Sequence, residues 1–325
     1  MSTRPKVSVL IVTYNQRQWI AQAIDSALAQ HVDFAMEIVI GDDFSSDGTR
    51  EIVESYAALH PGVIRLNLQG RRPDGVPGRV NQVTTLEACR GEFIAFLDGD
   101  DFWTDPGKLA HQVELLEANP DVVGAAHDAL ISFEDGSTDD GLRFSDLAFE
   151  DHGGAPRVGL RDIIVSPPFQ TSTWMVRSAC VGPLPDWYKD IPAADWGLFA
   201  IAAQHGDMLV ETAARSVYRK HGGSILAQLI DARASERNRW HRKSFRMIAE
   251  AFSDAERTAR WRLVDARSRL NEAVDQRWLL TACVVFAVLF TAYDRKRLIG
   301  MIARPGLLAG RIGSTLRRSL RSKAV

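Results

Sequence analysis

The chain lacks the cysteine pattern of a disulfide frame or a structural zinc site. Its 325 residues hold only Cys89, Cys180 and Cys283, an odd number, far apart, with no C-x-x-C. That usage fits a reducing compartment. No leader is evident: residues 1–6 run straight into an apolar segment of six or seven residues, too short and poorly flanked for a signal peptide, so the expected location is cytoplasmic. Internal repeats and low-complexity segments are absent. So is a long apolar run. Residues 278–293 are sixteen residues without a charge, just short of the roughly 17–25 that span a bilayer. The loop after the first apolar segment, Thr13-Tyr14-Asn15-Gln16, has no glycine and no basic residue. A G-x-G-x-x-G dinucleotide fingerprint is therefore excluded there. A basic, glycine-rich cradle for a triphosphate, as a nucleotidyltransferase would want, is missing too. An excess of positive charge is also absent. The net charge is −2, and residues 1–293 alone sum to −10, which argues against nucleic acid as the partner.

What is present is a soluble, globular composition, 46% hydrophobic and 25% charged, long enough for one large α/β domain with an appendage, or for two domains. Val7 to Val12 reads as a buried strand, followed by a helix with Trp19, Ile20, Ala23, Ile24, Ala27 and Leu28 on one face. Glu37-Ile38-Val39-Ile40 is a second strand, ending at Gly41-Asp42-Asp43, and Ser45 to Thr49 offers cap chemistry for a helix to Leu59. A strand at 63–68, a glycine- and arginine-rich loop at 70–78, a helix from about Val80 to Cys89 and a strand ending at Asp98 follow. A further helix starts at Pro106. This alternation predicts a mostly parallel sheet with helices on both faces. Beyond Val122 the pattern loosens. Residues 135–160 read as a surface insertion, 171–176 and 208–218 as strands, 193–205 as a helix, and everything from about 225 as helix.

The segment Phe93-Ile94-Ala95-Phe96-Leu97-Asp98-Gly99-Asp100-Asp101 is the most telling. Its apolar run suits a strand covered on both faces. Three carboxylates at its tip must meet water, cations or a ligand, because an isolated buried charge is very costly. Ligands of open α/β sheets bind at the carboxyl ends of the strands, and Mg²⁺ is usually held by one or two carboxylates plus phosphate oxygens. Gly99 allows a close approach at this tip or simply shapes the turn. Thr13-Tyr14-Asn15, Asp42-Asp43 and Asp98 to Asp101 all fall at strand ends, hence on one rim.

In this order and spacing, Val7 to Asn15, Glu37 to Thr49, Arg79 and Asn81, Gly91 to Asp101 and Tyr218-Arg219-Lys220-His221 resemble the family-2 glycosyltransferases, of bacterial surface-polysaccharide type, whose catalytic domain is of the GT-A type. The match is close over residues 6–110 and looser to about 224. The resemblance implies a nucleotide-diphosphate sugar donor, with a uridine diphosphate expected, a divalent cation (Mg²⁺ or Mn²⁺) and inversion at the anomeric carbon. It implies that Asp42 reads the base and that Thr13 and Tyr14 line the base and ribose. Asn15, Asp43, Arg79 and Asn81 lie near the donor, although Arg79 also fits an ordinary surface arginine. Asp98 and Asp100 match the Asp-x-Asp pair, the first nearer the ribose or sugar and the second on the metal. His221 matches a position that helps hold the metal or diphosphate; a solvated loop histidine is its plainer reading.

Inversion needs a base opposite the leaving diphosphate. Asp195, in Ala193-Ala194-Asp195-Trp196, is the candidate, with Asp190 in reserve; a first-turn carboxylate stabilising a helix is the alternative for Asp195. The family often shows an acidic pair here, and this chain has Ala194-Asp195. Thr171, Ser172 and Trp196 are assigned to the acceptor, a saccharide or lipid-linked saccharide, with Trp187 and Tyr188 as further ring faces or as core. The expected domains are 1–224, divided at 120/121 into nucleotide-binding and acceptor halves, and a helical region 225–325. The tail from Asp294 carries nine Lys or Arg and one acid, so 278–325 is read as a buried helix with a basic tail or as a peripheral contact with anionic lipid; a membrane-spanning helix is disfavoured, because it would place the basic tail outside. A binding relative without turnover is the remaining non-enzymatic reading.

Overall fold

The structure, a computed structural model, describes residues 4–71, 75–133, 141–147, 157–165, 167–222 and 234–252. The chain divides into a compact unit that runs through Trp261 and a second from Arg262; residues 278–293 and the basic tail lie outside the described residues.

In chain order the first half is β1 (Val7–Thr13), α1 (Ile20–Leu28), β2 (Met36–Asp42), α2 (Thr49–Leu59), β3 (Ile64–Leu68), α3 (Arg79–Ala88), β4 (Phe93–Asp98), β5 (Phe102–Trp103) and α4 (Lys108–Ala118). The second half is β6 (Gly124–Phe133), α5 (Phe144–Leu147), β7 (Arg157–Val158), α6 (Leu160–Val165), β8 (Met175–Arg177), α7 (Ala194–Ala203), β9 (Met208–Lys220) and α8 (Ala234–Ala251). The sheet runs β3-β2-β1-β4-β8-β6-β9-β5, with β7 beside β9. The long pairings β1–β2, β1–β4, β2–β3 and β6–β9 are parallel, and the short ones through β5, β7 and β8 are antiparallel.

The apolar runs Val9 to Val12 of β1 and Phe93 to Leu97 of β4 have a direct cause. Val7, Val9, Ile11, Phe93, Ala95 and Leu97 enter one core with α1 and α4, while Leu10, Ile94 and Phe96 enter the other with α3, α6 and α7. Both faces are covered, so both are apolar, and Ser8, the buried polar side chain just before the β1 run, donates to Glu37 Oε1 at 2.7 Å. Helix α1 buries Ile20, Ala23, Ile24 and Ala27 along one stripe. Helix α3 lies close on β2 because Gly41 has no side chain: a Cβ there would collide with Thr85 Oγ1 and lie 2.6 Å from Asn81 Oδ1.

Two expectations are corrected. Residues 171–173 form a 3-10 turn and only 175–177 a strand. The Gln170 side chain accepts from the Ser172 N–H at 2.7 Å and Thr173 Oγ1 donates to the Gln170 carbonyl at 2.6 Å, local bonds that compete with a sheet ladder. Second, α8 lies beyond the boundary expected at 224, yet it packs on the preceding domain. Ile248 and Phe252 join the core of α6 and α7, and the Ala193 N–H donates to Ser244 Oγ at 2.9 Å.

Candidate active site

The three strand ends do fall side by side. Thr13 is in register with Asp42, and Val12 with Asp98. The loops behind them are cross-stitched: the Asn15 N–H donates to Ser45 Oγ, and the Ser46 N–H to Asn15 Oδ1, each at 2.9 Å. Asn15 has φ +51° and Phe44 φ +65°. Gly99 is required by its neighbours rather than by open space, since a Cβ there would meet Gln16 Oε1 at 2.5 Å and Thr13 Cβ at 2.9 Å.

Asp42 is fully buried. Its Oδ2 accepts from the Ser45 N–H (3.1 Å) and from Arg50 Nε and Nη2 (2.9 and 2.8 Å), and Arg50 Nη2 also donates to the Gln69 carbonyl at 2.7 Å. Asp42 Oδ1 is buried and accepts no hydrogen bond. A buried acceptor in that state calls for an explanation, such as a water, an ion or a ligand that would meet it. Asp43 Oδ2 accepts from the Gly78 N–H at 3.1 Å and so ties the start of α3 to the end of β2.

The acids after β4 have distinct environments. Asp101 is fully buried; it accepts from the Arg219 N–H at 2.9 Å and from Gln170 Nε2 at 2.8 Å, so both of its oxygens are engaged inside the protein. The same Gln170 amide reaches Asp98 Oδ2 at 3.4 Å. Its orientation is fixed because Gln170 Oε1 accepts from the backbone N–H and hydroxyl of Ser172. Asp100 Oδ2 meets His221 Nε2 at 2.9 Å, and the His221 ring lies 3.9 Å from that of Trp19. The Arg219 guanidinium donates to the Asp100 carbonyl at 2.7 Å. Burial, followed by the charges of Asp100 and Asp195, pushes the Asp98 carboxyl up to about 8. Asp101 is held well above the ordinary range by burial and by Asp100 and Asp98. Among the described residues no three of His, Cys, Asp and Glu converge as a complete cation cage. An oxygen-rich, mutually repelling pair such as Asp98 and Asp100 fits a hard divalent cation that draws its other ligands from phosphate and water.

Asp195 lies in the first turn of α7, where its Oδ1 accepts from the Trp196 N–H at 2.9 Å. Burial raises its pKa, while the Trp196 N–H and the Arg79 charge pull it back. Arg79 is 4% exposed. Its guanidinium donates to the Ile191 carbonyl and to Gln82 Oε1 (3.0 Å) and lies 4.7 Å from the Tyr188 ring centroid. It is not a surface arginine; it braces the segment that leads into α7.

Other expected contacts are also redirected. Asn81 is 1% exposed, with Nδ2 on the Gly41 carbonyl at 2.9 Å, so it packs α3 on β2 instead of facing a donor. Ser172 is fully buried, and its carbonyl accepts from Trp103 Nε1 at 2.8 Å; it supports Gln170 and does not face an acceptor. Thr171 is half-buried in the same turn. Trp196 lies against Phe245 of α8 at 4.1 Å, Trp187 against Phe252 at 5.8 Å, and Tyr188 is 1% exposed, so these rings serve as packing. The imidazole of His221, expected on the metal, is bonded to Asp100. Gln170 precedes the Thr171 and Ser172 assigned to the acceptor, and Arg219 stands inside the Tyr218 to His221 motif; nothing local in the sequence announces that they hold the acids from 69 to 119 residues away.

The family model described as glycosyl transferase family 2 matches residues 8–143. An uncharacterized protein of Mycobacterium tuberculosis is 32% identical over 223 residues, 67% of this chain and 60% of that protein. The chain thus spans about three-fifths of the length of the curated relatives it matches first. Among solved structures, the mannosyltransferase PcManGT from Pyrobaculum calidifontis, in complex with GDP-Man and Mn²⁺, aligns with a TM-score of 0.57 at 21% identity, over 95% of this chain and 81% of that one. Residues 1–349 of TarS from S. aureus, in complex with UDP-GlcNAc, align with a TM-score of 0.51 at 19% identity, over 83% and 81%. At these identities the two structures speak to the fold alone, a GT-A-like sheet with its flanking helices.

Proposed function

We propose, from the match of residues 8–143 to the family model described as glycosyl transferase family 2, that the chain moves a sugar, with inversion, from a nucleotide-diphosphate sugar to a saccharide or lipid-linked saccharide acceptor. The observation that carries the proposal is the juxtaposition at one rim: Asp42, with an unmet buried oxygen, ends β2 and Asp98 ends β4 on either side of β1, and Asp98 shares the Gln170 amide with Asp101.

In this reading Asp42 Oδ1 accepts the ring N–H of the base. Uracil and guanine present such a donor, and adenine and cytosine present an acceptor in its place. We take the donor to be a uridine-diphosphate sugar. TarS binds UDP-GlcNAc and PcManGT binds GDP-Man, so a GDP-sugar is the contrary arm of the test. Tyr14, exposed on the β1 loop, flanks the base, and Thr13 and Asn15 shape that loop. Asp98 and Asp100 would hold a Mg²⁺ or Mn²⁺ ion, with His221 orienting Asp100. The cation, when bound, offsets the charge that develops on the departing diphosphate. Asp195 takes the proton of the acceptor hydroxyl; its raised pKa makes it a better base than an exposed aspartate. Arg79 and α8 keep α7, and so Asp195, in position.

The direct test is turnover. Purified protein given UDP-sugar, divalent cation and saccharide acceptors is expected to release UDP only when an acceptor is present. Binding of the donor without release under every acceptor supplied would instead support a carbohydrate- or nucleotide-binding protein without transferase activity.

A further inference from the structure

Phe44 is the one bulky side chain among the described residues that adopts a left-handed backbone, with φ +65°. In that conformation the Cβ crowds the following carbonyl. Asn15, the other non-glycine residue with positive φ, is of a type that tolerates it, because its short amide bonds locally, here to the Ser46 N–H. Phenylalanine has no such bond to make. Nor does burial hold it there, since the residue is 42% exposed. A strained conformation that displays an apolar ring to water points to a function.

Its surroundings say which. Phe44 follows Asp42-Asp43 directly. The Arg50 guanidinium that grips Asp42 Oδ2 also faces the Phe44 ring, 5.6 Å from its centroid. The ring and the carboxylate are therefore held in a fixed relation by one cation. Asp42 Oδ1 is buried and accepts nothing. Across the stitched loops, Tyr14 is likewise exposed, at 39%. An unmet acceptor beside exposed aromatic faces is the arrangement that receives a planar heterocycle with an N–H edge: hydrogen bonding reads the edge, and a ring covers the face.

We propose that Phe44 is a stacking face for the nucleobase whose edge Asp42 reads. The inference rests on the nucleotide-sugar reading given above and adds to it a contact that does not depend on which N–H-bearing base is bound. Glycine at position 44 would remove both the ring and the backbone strain, so Phe44→Gly separates binding from folding.

The experiment is calorimetric titration of wild type, Phe44→Gly and Phe44→Trp with UDP, GDP and base-free pyrophosphate, in Mg²⁺, alongside thermal melts. The expected result is a roughly tenfold loss of nucleotide affinity in Phe44→Gly, restored in Phe44→Trp. Pyrophosphate affinity should not change, and the melting temperature should be unchanged or higher. Equal UDP and GDP affinities in wild type and Phe44→Gly would overturn the proposal, as would a parallel loss of pyrophosphate binding. If wild type bound pyrophosphate but neither nucleotide, the base-reading role of Asp42 and this contact would both be wrong; if it bound none of the three, the donor reading itself would fail.

Discussion

At the residue scale, Asp98 shows how burial and like charge act together. The residue is half-buried at the end of β4, and its carboxyl is pushed up to about 8 by burial and by the charges of Asp100 and Asp195, which oppose its ionisation. Asp101, in contrast, has both oxygens engaged by Gln170 and Arg219 and is anchored rather than available. The role assigned to Asp195 predicts that Asp195→Asn binds UDP as tightly as wild type but transfers sugar about 10²–10⁴ times more slowly, as followed by UDP release in single-turnover mixing. Normal turnover by that variant would remove Asp195 from the base's role. The acids themselves were legible in the sequence, because a charged cluster that closes a wholly apolar strand has to be met by water, a cation or a ligand. Gln170, Arg219 and Phe44 were not. The first two act through contacts set by the fold, and the third is distinguished only by its φ, which a sequence does not display.

At the element scale, the first four long strands were legible because β1, β2 and β4 carry apolar runs and β3 an apolar/polar alternation between helical stretches, and the runs of β1 and β4 are long because both of their faces are covered. Strand β6 was missed. It carries His127 and Asp128 in its middle and has register irregularities around Asp128, so neither continuity nor alternation marks it. The end of β2 away from the acids depends on Glu37. Its carboxylate is 4% exposed and accepts from Arg90 Nη2 (2.6 Å), Arg65 Nη1 (3.0 Å) and Ser8 Oγ (2.7 Å), which joins β1, β2, β3 and the turn before β4. Burial raises the Glu37 pKa, but the bonds from Arg90, Ser8 and Arg65 more than offset it, leaving it below the ordinary 4.5. The folded state therefore binds that proton less readily than the unfolded chain. The stabilisation is complete above about pH 4.5 and is lost as pH falls through the folded value. Glu37→Gln is expected to lower stability by about 1.5–3 kcal/mol at pH 7, and the gap to wild type should narrow on acidification below about pH 4.5. Denaturant melts at about pH 7 and about pH 3.5 measure both; a gap that widened in acid would contradict the assignment.

At the scale of the whole molecule, the first compact unit extends to Trp261 and includes α8, whose Phe245 and Ile248, with Phe252 just beyond its end, pack against α7 and its core. A sequence boundary at 224 was drawn where the strand pattern stops, but burial continues beyond it. No helix among the described residues is long and apolar enough to cross a membrane. The tail from Asp294, with nine basic residues against one acid, keeps two readings distinct. Peripheral lipid contact predicts that the full chain floats with vesicles rich in anionic lipid and detaches at high salt, whereas a chain ending at residue 277 remains in solution. Equal recovery of both in the soluble fraction would leave the buried-helix reading.

A cation shared between the β4 acids and a diphosphate is what the proposed chemistry requires above all. Titration of UDP into wild type and Asp100→Asn, with Mn²⁺ and with a chelator, tests it directly. The predicted result is binding by wild type that depends on Mn²⁺ and is largely lost in Asp100→Asn. Tight binding in chelator, or binding by Asp100→Asn with an unchanged dependence on Mn²⁺, would contradict it.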